Sequence, residues 1–339
     1  MRLDGADPAA TVAAADRLAA GELVAFPTET VYGLGARADD DGAVAKIFAA
    51  KGRPSDHPLI VHVTDAAQAR TFAAEWPPLA ERLAAAFWPG PLTLIVARQP
   101  HLAAAAAGGQ PTIGLRCPDH PMAQALLAAA ARRGVAGVAA PSANRFGRIS
   151  PTTAAHVQAE FADGGHAVTV LDGGPCAVGI ESAIVDCSRG RPVLLRPGTL
   201  SQERLAAAAG LPVEARDDNA PRASGTQGAH YAPRAKLRLM PSAALADALA
   251  IWAEVDAGAA APRSAAPRLA VYSRTVRTPR AAALVARRMP DSPRAAAYEL
   301  FAVLRELDAL GVSLIWVEQP PPGAEWAGLR DRLERAAAA

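Results

Sequence analysis

Short apolar runs alternate with alanine-rich helical segments along most of this chain, a pattern that few fold classes accommodate. Runs such as PLIVHV, PLTLIVAR and PTIGLR contain many β-branched residues and are bounded by Pro or Gly, as buried strands commonly are. Segments such as GAVAKIFAAKG and HPMAQALLAAAARRG have the length of helices that end at a glycine. The alternation predicts an α/β protein with an open sheet flanked by helices.

A polar segment divides this pattern into two parts. Residues 213–235 are rich in Gly, Pro and Ala and contain the unusual sequence His230-Tyr231-Ala232-Pro233. After it the alternation of strands and helices resumes with KLRLMP. A chain of 339 residues is long enough for two domains. We therefore predict a first domain over 1–212, a linker over 213–235, and a smaller, Rossmann-like α/β domain with a mainly parallel sheet over 236–339.

Composition narrows the class of protein. The chain is 51% hydrophobic and 20% charged, so it can bury a core, and its formal net charge of +2 is too small for bulk capture of nucleic acid. A local basic cleft remains compatible with that charge. Three cysteines without paired spacing argue against a disulfide framework or a zinc site and favour a reducing compartment. We see neither a signal peptide nor a membrane-spanning run, and we expect a cytoplasmic protein.

Two cations follow a predicted helix end in the stretch KGRPSDHP. Lys51 and Arg53 stand two residues apart in a chain that uses arginine for nearly all its other positive charges. An ammonium and a guanidinium could bind different oxygens of a phosphate, or the pair could only complement the helix dipole. Thr28 and Thr30, in AFPTETVYGLG, follow a strand end, where ligands bind in open α/β sheets. They could equally make turn hydrogen bonds.

A third cation lies on a predicted strand. Arg116 shares one face of TIGLR with Thr112, and a buried arginine needs a partner. That partner could be an internal Asp or Glu, or the carboxylate of a ligand. His62 stands in an apolar strand and His57 in a turn, and by themselves both are compatible with purely structural roles.

Further polar side chains follow or precede other predicted strands. The loop APSANRFGRIS carries Ser142, Asn144 and Ser150, and Ser150 could be the N-cap of the next helix. Ser182 stands at a strand start, and Arg196 at a strand exit, where a cap or a phosphate contact is equally plausible.

These positions together form one chemical inventory. They supply hydroxyls, amides and cations at strand ends, without an acid–base dyad or a nucleophile constellation, and the chain contains no P-loop, HExxH or GxSxG motif. Such a set suits a polyanion whose chemistry depends on positioning and on stabilisation of developing charge.

The motifs that contain these residues resemble those of the threonylcarbamoyl-AMP synthases in their longer, two-domain form. In the family's order the chain contains PTETVYGLG, KGRPSDHPLIVHV, WPGPLT, APSAN, SPT, GIESAIVD and LRPG, over roughly residues 8–200. The linker motif HYAP and the tail after residue 236 resemble the extra domain of the long form. The resemblance implies a YrdC-like twisted open sheet in the first domain. It also implies an enzyme that combines L-threonine, bicarbonate or CO2 and ATP into threonylcarbamoyl-AMP and pyrophosphate.

The resemblance also implies residue roles, with Lys51 and Arg53 as the catalytic pair. It implies an L-threonine site formed by Thr30, His62, Arg116, Ala140 and Ser182. It implies an ATP site formed by Lys51, Arg53, His57, Thr112, Ser142, Asn144, Ser150, Arg196 and Tyr231, with Tyr231 closing over the nucleotide. Mg²⁺ would be held mainly by the ATP phosphates rather than by a protein cage. Downstream transferase proteins would move the threonylcarbamoyl group to tRNA, which this chain would not bind directly, and no membrane partner is implied.

Two other functions remain open at this point. One is a different carbamoyl-adenylate-forming enzyme, such as the hydrogenase-maturation proteins, although the chain lacks their acylphosphatase and zinc-finger segments. The other is a double-stranded-RNA-binding module, against which the modest net charge argues.

Overall fold

The computed structural model describes residues 1–163, 165–226, 228–257, 268–279, 281 and 283–339. The chain divides into two compact units, of which the first comprises Met1–Phe146 and Ser150–Thr226. The second comprises Gly147–Ile149 and Gln227–Ala339, so the division after residue 226 falls within the polar segment 213–235. In the parts of the chain that the structure describes, every helix is too short or too polar to cross a lipid bilayer.

The first unit contains most of the secondary structure. Its strands are β1 (Arg2–Asp4), β2 (Leu23–Phe26), β3 (Gly33–Arg37), β4 (Ile60–His62), β5 (Leu92–Ala97), β6 (Thr112–Arg116), β7 (Val138–Ala139), β8 (Val168–Asp172), β9 (Ala183–Asp186), β10 (Val193–Arg196) and β11 (Glu214–Ala215). Its helices are α1 (Pro8–Ala19), α2 (Asp41–Lys51), α3 (Ala66–Phe72), α4 (Pro78–Phe87), α5 (Pro121–Ala131), α6 (Ala154–Glu160) and α7 (Gln202–Ala209).

These strands form one mixed sheet in the order β1-β8-β2-β3-β7-β4-β6-β5-β9-β10-β11. The pair β4 and β6 is parallel, and its register places Ile60 opposite Gly114 and His62 opposite Arg116. The pair β5 and β9 is also parallel, whereas β7 runs antiparallel to β4 and β5 runs antiparallel to β6. Because β4 and β6 are parallel and in this register, their carboxyl ends lie side by side at one edge of the sheet.

Helices cover both faces of this sheet. In β2, Leu23 and Ala25 pack in a cluster with residues of α2 and α4, whereas Val24 and Phe26 pack in a second cluster with residues of α1 and α5. Successive side chains of a strand point to opposite faces, so β2 is buried on both sides. The predicted α/β fold with flanking helices is confirmed, and the sheet is mixed.

Local sequence accounts for both ends of α2, the helix that precedes the predicted phosphate-binding pair Lys51 and Arg53. The Asp40 carboxylate accepts hydrogen bonds from the backbone N–H groups of Gly42 and Ala43 and so caps the start of α2. Gly52 ends the helix with φ of 63°, a left-handed conformation that favours glycine. Gly52 thus separates Lys51, the last residue of the helix, from Arg53.

The second unit contains a smaller parallel sheet. Its elements are β12 (Lys236–Met240), α8 (Ser242–Ala257), β13 (Leu269–Ser273), β14 (Leu284–Arg288), α9 (Pro293–Ala309), β15 (Leu314–Glu318), a short 3₁₀ helix (Ala324–Trp326) and α10 (Ala327–Ala337). The described strands lie in the order β12-β15-β13-β14, and all three pairs are parallel. The predicted small α/β domain with a parallel sheet is thus confirmed.

Candidate active site

The carboxyl ends of β4 and β6 bring two of the predicted threonine-site residues together. His62 and Arg116 are the last residues of these strands, occupy paired positions, and are each 3% exposed. Ala140 directly follows the neighbouring β7, and its N–H donates to the Ile60 carbonyl at 2.9 Å. Because β7 is antiparallel to β4, Ala140 lies beside Ile60 at the start of β4 rather than beside His62.

Arg116 has an internal acidic partner. Its Nη2 lies 2.7 Å from Oε1 of Glu29, and both side chains are buried. The sequence left open whether the partner is internal or part of a ligand, and the structure identifies Glu29. This residue was missed by the sequence analysis, although it stands between Thr28 and Thr30 in the motif. The available signal was a single acid between two threonines just after an apolar strand.

The hydroxyls of this loop hold its conformation. Thr28 Oγ1 donates to the Val31 carbonyl at 2.7 Å and lies 2.8 Å from Oγ1 of Thr30, which is fully buried. The turn hydrogen bonding that the sequence allowed is therefore present. It fixes the backbone on both sides of Glu29.

Ser182 lies immediately before β9, where it contacts the buried Thr93 and the predicted site residue Arg196. Its hydroxyl is 2.8 Å from Oγ1 of Thr93, and its carbonyl accepts from Nε and Nη2 of Arg196 at 3.1 and 3.0 Å. Arg196 is the last residue of β10, as predicted, and is 2% exposed. These contacts fix the side chains of Ser182 and Arg196 where β9 begins and β10 ends.

The second group of predicted residues surrounds the end of α2. Lys51 Nζ donates to the carbonyls of Ser142, at 2.6 Å, and Asn144. Phe146 N–H donates to the Lys51 carbonyl at 2.8 Å, and its ring lies 5.7 Å from the Arg53 guanidinium. The ammonium group therefore contacts the 142–146 loop, in contrast to the alternative in which it only complements its own helix.

The same aromatic ring also approaches a predicted histidine. The rings of His57 and Phe146 have centroids 5.4 Å apart, and Arg53 Nη2 donates to the Pro58 carbonyl at 3.0 Å. The structure thus gathers Lys51, Arg53 and His57 about one loop. Both Lys51 and Arg53 are buried, at 3% and 7% exposure.

Burial changes the proton affinities of these groups. It lowers the pKa of Lys51 well below its usual value, and the neighbouring positive charge of Arg53 lowers it further. Burial, followed by the charge of Arg116, lowers the pKa of His62 to about 3, so its imidazole is neutral at physiological pH. The pKa of His57 is also lowered, first by burial and then by Arg53.

Ser150 does not cap the next helix. The helix α6 begins at Ala154, and the Thr153 side chain accepts from the His156 N–H as its N-cap. The Ser150 hydroxyl instead donates to Oε1 of Glu181 at 2.5 Å, and both residues are buried. The N-cap interpretation was wrong because the polar partner of Ser150 comes from a segment 31 residues away in sequence.

Thr112 lines a narrow pocket on the sheet. The pocket is lined by the sheet residues Ile60, Thr93 and Ile184 and by the segment 222–224. Gln110 binds this segment through two hydrogen bonds, from its Nε2 to the Arg222 carbonyl at 3.1 Å and from the Arg222 N–H to its Oε1 at 2.9 Å. The sequence analysis did not identify Gln110, since a loop glutamine carries no pattern that distinguishes it.

Tyr231 belongs to the second unit. Its ring stacks on that of Phe301, with centroids 5.4 Å apart, and the Arg332 guanidinium lies 5.4 Å from the ring centroid. The backbone of Tyr231 has φ of 62°, a left-handed conformation that is uncommon for a bulky residue. Its predicted role toward the nucleotide stays a prediction.

Two family models match the chain and together cover nearly all of it. The Sua5/YciO/YrdC model, described as telomere recombination, matches residues 16–198. A second model, described as the threonylcarbamoyl-AMP synthase C-terminal domain, matches residues 200–338.

Three curated relatives are all threonylcarbamoyl-AMP synthases. A threonylcarbamoyl-AMP synthase of Bacillus subtilis is 44% identical over 239 residues, which cover 69% of this chain and 67% of that protein. One from Pyrococcus abyssi is 43% identical over 64% of each chain. One from Schizosaccharomyces pombe is 33% identical over 93% of this chain and 84% of its own length.

A solved structure matches the fold of this chain over nearly its whole length. The Sua5 protein of Pyrococcus abyssi, solved in complex with L-threonine, matches with a TM-score of 0.85 and 33% identity, covering 99% of this chain and 97% of that one. Neither the hydrogenase-maturation nor the RNA-binding alternative is favoured by these findings. With both family models matched in order along the chain, the protein belongs to the threonylcarbamoyl-AMP synthases in their two-domain form.

Proposed function

We propose that this chain combines L-threonine, bicarbonate or CO2 and ATP into threonylcarbamoyl-AMP and pyrophosphate. The observation that best supports this activity is the grouping of buried cations in the first unit. Arg116 lies beside His62 at one strand edge, and Lys51 and Arg53 lie about the 142–146 loop. The first group suits an amino acid and the second suits a polyphosphate.

The amino acid would bind at the ends of β4 and β6. The Arg116 guanidinium can hold the threonine carboxylate through two parallel hydrogen bonds. A neutral His62 can donate or accept a hydrogen bond but cannot supply a positive charge at physiological pH, because its pKa is about 3. Thr30 and Ser182 would provide hydroxyls for the polar side chain of the substrate. In this arrangement the side chains position the amine, which after losing its proton forms an N–C bond with CO2 and releases a second proton to solvent, giving a carbamate. From bicarbonate the same bond forms with loss of water.

The resulting carbamate would react at the nucleotide. Its oxygen attacks the α-phosphorus of ATP, a bond forms between them, and pyrophosphate leaves with the electrons of the broken P–O bond. Lys51, Arg53 and Arg196 would offset the charge that develops on the phosphate oxygens. Ser142, Asn144, Ser150, Thr112 and His57 would orient the nucleotide by hydrogen bonds. Catalysis would depend on positioning and electrostatics rather than on a protein nucleophile.

Magnesium would enter with the nucleotide. Among the described residues, no group of three or more His, Cys, Asp or Glu side chains is placed to hold a metal ion. We expect the ion to be carried mainly by phosphates and water, which is common for Mg²⁺. When bound, the ion would neutralise charge on the departing pyrophosphate.

The product would serve tRNA modification. Downstream transferase proteins would move the threonylcarbamoyl group to an adenosine of tRNA, giving threonylcarbamoyladenosine. Because the acceptor is tRNA, we expect the chain to act in the cytoplasm.

Release of pyrophosphate from ATP tests the activity. With no tRNA present, the purified chain should release pyrophosphate only when L-threonine and bicarbonate are both supplied. Release that is independent of threonine would remove the proposal in favour of another ATP-consuming reaction, and no release at all would favour a binding module.

Replacement of the two cations tests the site. Lys51→Ala and Arg53→Ala should each remove about 2–4 kcal/mol of transition-state stabilisation, measured from kcat/KM for ATP, as is typical of charge-stabilising groups. Lys46→Ala is the matched control on the same helix, since Lys46 Nζ donates to the Gly21 carbonyl outside the candidate site. If Lys51→Ala and Arg53→Ala kept wild-type kinetics, as the control should, the phosphate assignment would be wrong.

A further inference from the structure

Several buried polar atoms near the ends of β4 and β6 lack hydrogen-bond partners. They include both carboxylate oxygens of Glu29, Nη2 of Arg116 and Nδ1 of His62. Each of these residues is at least nine-tenths buried. Buried polar atoms are nearly always hydrogen-bonded, because leaving them unpaired carries a desolvation cost. Several unpaired atoms in one place therefore indicate that a polar ligand completes the site.

The ion pair between Glu29 and Arg116 does not remove this requirement. Oε1 and Nη2 are 2.7 Å apart, yet they are not aligned as a hydrogen bond, and both atoms remain without one. Arg116 Nε makes only a long contact of 3.4 Å with the Gly90 carbonyl. The two charges neutralise each other electrostatically while their hydrogen-bonding capacity stays largely unused. A ligand can thus use both groups without first breaking a well-formed network.

The backbone around Glu29 is fixed, so the carboxylate is held in place. The Glu29 carbonyl accepts from the Val178 N–H at 2.7 Å, and the Thr30 carbonyl accepts from the Gly179 N–H at 3.2 Å. These bonds tie the loop between β2 and β3 to a segment far along the chain. A charged group on such a supported loop is suited to recognition.

We propose that Glu29 binds the α-ammonium group of the amino-acid substrate. This inference rests on the proposed function. A zwitterion presents one negative and one positive group, and the Glu29–Arg116 pair presents the complementary charges within one buried site. Arg116 would take the carboxylate, and Glu29 would accept hydrogen bonds from the ammonium group. An ammonium buried without an anionic partner would pay a large desolvation cost.

A different role for Glu29 makes a different prediction. If Glu29 only orients Arg116, its loss should weaken every carboxylate ligand equally, whether or not the ligand carries an amine. If it binds the ammonium group, only ligands with an amine should lose affinity. The two probes are L-threonine and (R)-3-hydroxybutanoate, which is the same molecule without its amino group.

The experiment measures Kd for both probes by calorimetry on the full chain. Glu29→Gln keeps the shape of the side chain and removes its charge, and it should weaken L-threonine binding by about 10- to 100-fold while leaving (R)-3-hydroxybutanoate unchanged. Glu22→Gln is the matched control, because Glu22 pairs with Arg17 at an exposed position. Equal weakening of both probes, or no change for L-threonine, would overturn the inference.

Two further measurements cover the remaining outcomes. If Glu29→Gln does not fold, as judged by circular dichroism, Glu29→Asp keeps the charge but shortens its reach, and it should weaken L-threonine selectively. Equal affinity of the wild-type chain for the two probes would overturn the inference without any variant. A wild-type chain that binds neither probe would instead overturn the proposed function.

Discussion

Lys51 combines burial with an unusual set of contacts. Its ammonium group donates to two carbonyl oxygens of the 142–144 segment. Burial and then the charge of Arg53 lower its pKa more than the nearby carboxylates raise it. An incoming polyphosphate would favour the protonated form. Binding of nucleotide should therefore be coupled to the protonation state of this one side chain.

The affinity for a non-hydrolysable ATP analogue should fall as pH rises, and the fall should begin below the pH at which an ordinary lysine loses its proton. The reason is that Lys51 loses its proton at lower pH than an ordinary lysine, so the cation that binds phosphate becomes scarcer. Calorimetry in buffers of different ionisation enthalpy should show proton uptake on binding. Lys51→Met should abolish the uptake, whereas Lys46→Met should retain it. An uptake that persists in Lys51→Met would assign the effect to another group.

At the level of elements, the segment 222–224 narrows the pocket beside β4 and β6. The pocket has about 10 Å³ of cavity volume, which is close to the space of one water molecule and far below the roughly 300–1,000 Å³ usual for small-molecule sites. Ala223 is buried against Ile60 and Ile184, and Arg196 Nη1 donates to the Ser224 carbonyl at 2.8 Å. We infer that this segment moves when a nucleotide enters.

Gln110→Ala should make that movement easier. The change removes the two hydrogen bonds to the backbone of Arg222, each worth about 0.5–1.5 kcal/mol. Stopped-flow binding of a fluorescent ATP analogue should show association faster by roughly tenfold. Gln202→Ala is the control, since Gln202 Nε2 binds the Val213 carbonyl elsewhere. An unchanged association rate would mean that the segment does not limit entry.

For the whole molecule, charge bears on the role of RNA. The 35 basic and 33 acidic residues nearly cancel, and many arginines are paired with carboxylates at the surface. Binding of nucleic acid without sequence preference depends on the number of phosphates that are neutralised. The balance therefore favours a small-molecule enzyme over an RNA-binding module.

Double-stranded RNA should bind more weakly than a Kd of about 10 μM at 0.15 M salt, as measured by gel shift. Any complex at low salt should disappear as salt is added, because exposed charges are screened. The same preparation should release pyrophosphate in the presence of threonine and bicarbonate. A micromolar complex at physiological salt would show that RNA is contacted directly.

Local sequence predicted much of the framework. The alternation of apolar runs and helical segments predicted the α/β class and the parallel sheet of the second unit. Local sequence also explains the start of α1, where the Asp7 side chain caps the helix and Pro8 is its first residue. Such features depend on residues close in sequence, whose caps and periodicity act locally.

The sequence by itself determined the residue types at the site, their order and the family to which they belong. Only the tertiary structure decided their partners: Glu29 for Arg116, Glu181 for Ser150, and the 142–144 carbonyls for Lys51. These partners are far apart along the chain. Their meeting depends on sheet register and on loops that cross it, and burial then sets their charges. No local pattern carries that information.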